Sequence, residues 1–77
     1  METSQERAAR TQAMVIDALR DRAATPREVI DRILDIDDRA YTRDRIAGAI
    51  NTLLNRGLIE VRDGRIALVR GEDGRQP

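Results

Sequence analysis

The sequence predicts a mainly α fold, three helices followed by a small C-terminal β-hairpin. Three observations carry this. Three stretches repeat apolar residues at helical spacing, each behind a threonine suited to a helix start. The dipeptide Asp63-Gly64 separates two short runs of alternating apolar residues, a hairpin signature. The chain has 77 residues, 40% apolar and 36% charged, which fits one small folded domain and no second. We place that domain at 1–70. Residues 71–77, GEDGRQP, read as a flexible tail.

The first helix is expected over about 4–24. Thr3 and Glu6 have capping-box spacing, in which each side chain satisfies the other's backbone amide. Ala9, Ala13, Ile16, Leu19 and Ala23 form its expected apolar face, and Glu6 and Arg10 an i,i+4 pair. Met14 and Ala18 then fall on the opposite side. The second helix opens at Thr25-Pro26-Arg27-Glu28. Thr25 caps, Pro26 suits the first helical position, and Glu28 completes a box. It is expected over 26–34 or 35, with Val29, Ile30, Ile33 and Leu34 as its stripe.

Residues 35–41 read as a solvated loop, with Asp38 a candidate cap for the third helix. Its three aspartates do not make a calcium loop. Counting from Asp35, the positions that need Gly and Glu hold Ala40 and Ile46. The third helix is expected over about 42–56, capped by Thr42 and stopped by Gly57. Ile46, Ile50, Leu53 and Leu54 form a compact stripe. The opposite face carries Asp44, Arg45, Gly48, Asn51, Thr52 and Asn55. A glycine inside a helix costs about 1 kcal/mol against alanine. A close approach by another surface is one reason to accept it.

The hairpin is expected over 58–69. With Asp63-Gly64 as the turn, Arg62 faces Arg65, Val61 faces Ile66, Glu60 faces Ala67 and Ile59 faces Leu68. Ile59, Val61, Ile66 and Leu68 then share one face, to be packed on the helices.

Composition excludes several functions. There is no cysteine, hence no disulfide and no thiolate metal site. There is no histidine, so the commonest general base and metal ligand are missing. The one serine, Ser4, lies in an expected first turn, and no glycine-rich loop precedes a helix to hold phosphates. We expect no enzyme, no metal and no cofactor. No apolar run approaches the roughly 18–20 residues of a membrane span, and the N-terminus is too polar for a signal peptide. A soluble, cytoplasmic protein is expected, nucleoid-associated if it binds DNA.

Every basic residue is an arginine. Fourteen arginines balance fourteen acids, but unevenly. Residues 1–38 carry six Arg against nine acids, whereas 39–70 carry seven against three. A basic face is therefore expected on the second half.

The segment RIAGAINTLLNRGLIEVRDGRIALV resembles the third helix and wing of winged helix-turn-helix proteins. Ile46, Ile50, Leu53 and Gly57-Leu58-Ile59 carry the likeness. With the two preceding helices it covers residues 4–70. The link between helices 2 and 3 is longer than the three- or four-residue turn of the simplest members. The resemblance implies double-stranded DNA as partner, in a small transcriptional regulator whose third helix enters the major groove. On this sequence the groove face would be Arg45, Gly48, Asn51 and Thr52, with Asn55 lower down. Thr42 and Arg43 would hold phosphates, and Arg62 and Arg65 would be the wing contacts. A homodimer on two half-sites is expected, with Met14 and Ala18 of helix 1 as its candidate interface. Winged helices also serve as protein-interaction modules, so an adaptor or inhibitor is the rival expectation. The zero net charge and Asp44 on the reading face weigh on that side.

Overall fold

The computed structural model describes residues 2–69; the expected tail at 71–77 lies outside them. Three helices, α1 (Ser4–Ala18), α2 (Pro26–Ile36) and α3 (Arg43–Asn55), precede two strands, β1 (Ile59–Arg62) and β2 (Arg65–Leu68). The strands pair antiparallel, giving the three-helix-plus-hairpin layout expected from the sequence.

Helix starts follow the expected chemistry. The Thr3 amide donates to Glu6 Oε1 at 2.8 Å, and the Glu6 amide to Thr3 Oγ1 at 3.1 Å. Thr25 and Glu28 repeat the arrangement at 2.9 and 3.1 Å, with Pro26 in the first turn. These bonds hold both carboxyls below their usual range, and the backbone amide is the largest cause in each case. Thr42 caps α3 by accepting from the Arg45 amide at 3.2 Å. Gly57, at φ +75°, takes the left-handed conformation that ends the helix.

Helix α1 departs from expectation in length and face. It ends at Ala18 rather than near 24, and Leu19 caps it. Arg32 of α2 donates to the Ala18 carbonyl at 3.0 Å, satisfying a terminal acceptor that α1's last turn, which holds no basic residue, leaves open. Ala24 is extended and buried, and exchanges two backbone hydrogen bonds with Ile66, at 3.0 and 2.7 Å. That bridge ties the α1–α2 linker to the hairpin, and a helix continuing through 24 would forfeit it.

The buried face of α1 is Thr11, Val15 and the cap Leu19, with Met14 and Ala18 half-buried beside them. It is rotated by about a third of a turn from the expected alanine stripe. Ala9, Ala13 and Ala23 are exposed, and Ile16 is half-buried. Alanines offer little area to bury. Thr11 buries its methyl because its hydroxyl donates to the Arg7 carbonyl at 2.9 Å. Met14 and Ala18 therefore pack on this chain's own core and do not form a free far side.

The remaining helices follow their stripes. Val29 and Ile33 of α2 and Ile46, Ala49, Ile50 and Leu53 of α3 are buried. Tyr41, placed in a polar loop by the sequence, is only 6% exposed. Asp37 rather than Asp38 organises that loop, its Oδ1 accepting from the Arg39 and Ala40 amides. The hairpin has the expected register, Ile59↔Leu68 to Arg62↔Arg65. Asp63 (φ 51°) and Gly64 (φ 77°) both take the positive φ of a tight two-residue turn. Ile59 and Ile66 are buried, but Val61 is 60% exposed and does not join the core. Its cross-strand partner Ile66, at the same distance from the turn, is buried between β1 and Ala24, whereas Val61 lies on the outer strand.

Candidate functional site

Helix α3 presents a polar face because its apolar residues fill the other side. At about 100° per residue, Asp44, Gly48, Asn51 and Asn55 point directly away from Ile46, Ile50 and Leu53, and all four are exposed. Arg45 and Thr52 tilt toward α1, and Arg43 tilts toward α2. The expected reading residues are thus brought onto one exposed surface, with Asp44 at its N-terminal end. Gly48 has open space around it, since an added methyl would meet no atom of the protein within 4 Å. Nothing in the fold requires glycine there. The Thr52 hydroxyl donates back to the Gly48 carbonyl at 2.9 Å, leaving its lone pairs for an outside donor.

Charge is distributed differently from the expected pattern. Arg43 pairs with Asp31 of α2 at 3.2 Å, and Arg62 pairs with Glu60 at 2.5 Å. Arg65 lies near enough to Glu28 that its charge helps keep that carboxyl low. These contacts are exposed, worth about 0–1 kcal/mol each, so an incoming anion can displace them. They still offset positive charge where the sequence expects it.

Open positive charge gathers instead where the N-terminal parts of α1 and α3 meet. Arg7 and Arg10 of α1, Arg39 of the loop and Arg45 of α3 line one cavity of about 330 Å³, together with Glu2 and Thr42. A second cavity, of about 340 Å³, shares Arg7 and Arg45 and runs between the two helices over Ala8, Thr11, Gly48 and Ala49. Glu2 holds Arg10 at 2.6 Å and Arg7 at 3.7 Å. Arg39 and Arg45 have no carboxylate within 4 Å among the described residues. At the far end Arg56 donates to Gln12 at 3.1 Å, tying α3 to α1.

Arg7, Arg10 and Arg39 escaped the sequence reading. Arg10 looks like a partner for Glu6, yet Glu6 is occupied by its cap and Arg10 turns to Glu2. The available signal was the spacing of Arg7 and Arg10, one turn apart on α1. What it lacked was the packing of α1 against α3. Of the expected site residues, Thr42, Arg45, Gly48 and Thr52 line these cavities. Arg43, Asn51, Asn55, Arg62 and Arg65 line neither.

No family model, curated protein or solved structure matches this chain. Among the described residues no helix is long and apolar enough to cross a membrane.

Proposed function

We propose that this chain is a sequence-specific double-stranded DNA-binding domain, a small regulator that lays α3 in the major groove. One observation carries the reading. The exposed face of α3 is short-chained and polar, and four arginines converge beside its N-terminal end. Asn51 and Asn55 suit adenine edges, and Arg45 suits guanine. Thr42 and the arginines around it suit the adjacent phosphates, where the free amides of a helix start also point. In this reading the hairpin is a wing, with Arg62 and Arg65 exchanging their internal partners for backbone phosphates. Two copies on adjacent half-sites would extend a short readout. Sedimentation on a duplex carrying two sites is expected to show a two-to-one complex, and a one-to-one complex at saturation would remove the dimer.

The decisive experiment is retention of random duplexes at low salt, followed by sequencing of the retained pool. Enrichment of a motif that disappears with Asn51→Ala and Arg45→Ala is the expected result. A specific observation favours a second reading, a protein-interaction module. Asp44 stands in the first turn of α3, at the N-terminal end of the proposed face, and Arg43 and Arg62 are already matched by Asp31 and Glu60. Salt separates the two, because counterion release makes duplex affinity fall steeply with salt. An absence of retained duplex at low salt would select the second reading.

A further inference from the structure

We infer that the groove between α1 and α3 is a binding site for an organic phosphate with a flat body, of the nucleoside-phosphate class. Two adjoining cavities of about 340 and 330 Å³ are each within the range of small-molecule sites. They differ in chemistry, and that difference defines the ligand. One end is walled by Arg7, Arg10, Arg39 and Arg45 against a single carboxylate, Glu2. Arg10 also lies close enough to Glu6 to help hold that carboxyl low, so the lining keeps a net positive charge centred on Arg39 and Arg45, which calls for an anion. Guanidinium groups match phosphate oxygens in paired hydrogen bonds. The Thr42 hydroxyl stands at the same end.

The other end is a shallow trough with the buried Thr11 and Ala49 at its base and Ala8, Gln12, Gly48 and Thr52 along it. It has no charge to hold a second anion beyond the shared Arg7 and Arg45. It has no bulk to obstruct a planar group, since the space over Gly48 is open. Gln12 uses its carbonyl to accept from Arg56, which leaves its amide hydrogens for a ligand acceptor. A phosphate among the arginines thus places an attached base in the trough between Ala8 of α1 and Gly48 of α3.

Glu2 acts as the site's internal competitor. Its carboxylate pairs with Arg7 and Arg10 and must release them when phosphate enters. The groove also shares Arg45, Gly48 and Thr52 with the proposed DNA face. If that proposed function holds, ligand and duplex therefore exclude each other, and a free nucleotide acts as an effector. The ligand site itself does not depend on duplex binding.

The test is a titration of the isotope-labelled full chain with inorganic phosphate, adenosine 5′-monophosphate and adenosine 5′-triphosphate at low salt, followed by amide shifts. Saturable shifts confined to residues 2–12 and 39–52 are expected, with the triphosphate binding tightest and inorganic phosphate weakest. Arg10→Gln should weaken the triphosphate about tenfold or more, the loss of one charged hydrogen bond. Glu2→Gln should tighten it several-fold, a sign that a merely structural ion pair would not produce. Gly48→Ala should weaken nucleotides while leaving inorganic phosphate unchanged, and Arg27→Gln, outside the groove, should change nothing. No saturable shift at millimolar ligand, or shifts spread over all the arginines, overturns the site. Equal affinity for inorganic phosphate and nucleotide overturns the trough as its second half. Duplex binding that nucleotide does not displace overturns the effector role. Saturable nucleotide binding with no duplex binding upholds the site and removes the DNA reading instead.

Discussion

Replacing Gly48 by alanine separates what the fold needs from what a partner needs. The residue lies inside α3, is exposed, and has ordinary helical φ, since the glycines at positive φ among the described residues are Gly57 and Gly64. The added methyl meets nothing within 4 Å, so no packing cost offsets the gain in helix propensity. That gain is about 0.8–1 kcal/mol. In a domain this small, 1 kcal/mol shifts Tm by roughly 4–8 °C. Gly48→Ala should therefore raise Tm by several degrees in a thermal melt. Yet the methyl projects from the middle of the proposed contact face. If another backbone approaches there, overpacking should cost about 1–3 kcal/mol of binding, read by fluorescence anisotropy on an enriched duplex. A more stable variant with weaker binding is the expected pair of results. Lower stability would refute the claim of open space around Gly48. Higher stability with unchanged binding would refute close approach, leaving the glycine without a role.

The core and the charges yield further tests. Leu53 is fully buried, so Leu53→Ala should cost about 2–5 kcal/mol in urea unfolding, comparable to the roughly 3–5 kcal/mol that a core this small supplies. Val61→Ala, at a position 60% exposed, should stay within about 0.5 kcal/mol. Glu6 and Glu28 have lowered pKa values in the fold, so each contributes stability that is complete above the ordinary carboxylate value of about 4.3. That contribution is lost as pH falls through the lower folded value. Urea midpoints should be flat above about pH 5 and drop below it, and Glu6→Gln/Glu28→Gln, which keeps an acceptor but removes the titration, should flatten the drop. In duplex binding, Arg39→Gln/Arg45→Gln, at the two groove arginines with no carboxylate within 4 Å among the described residues, should make the slope of log K against log salt shallower by about 0.9 per lost phosphate contact. Arg62→Ala/Arg65→Ala should change it less, because Glu60 and Glu28 already offset those charges. The opposite order would return the main phosphate contacts to the wing.

Much of this fold is local, and local features are legible in the chain. Thr3-x-x-Glu6 and Thr25-Pro26-x-Glu28 satisfy amides within one turn, so their spacing alone predicts two helix starts. Asp63-Gly64 determines the hairpin register for the same reason: few residues have the freedom to take positive φ twice in succession. The stripes of α2 and α3 are built from large aliphatic residues whose burial is worth enough to orient a helix without help. Position on the exposed face of α3 is a direct consequence, and with it the exposure of Arg45, Gly48, Asn51, Thr52 and Asn55.

Tertiary structure decided whatever depended on weak or distant terms. The orientation of α1 could not be read from alanines, which bury too little to outweigh a threonine whose hydroxyl is satisfied inside its own helix. Its end at Ala18 rests on a carbonyl capped from α2 and on Ala24 pairing with Ile66, a partner far along the chain. The arginine groove is of the same kind. Arg7, Arg10, Arg39 and Arg45 come from three separate segments, and only the packing of α1 on α3 brings them together. A helix start or a turn is settled by bonds a few residues apart. A charge cluster drawn from segments far apart in the chain is settled only when the core that joins them has formed.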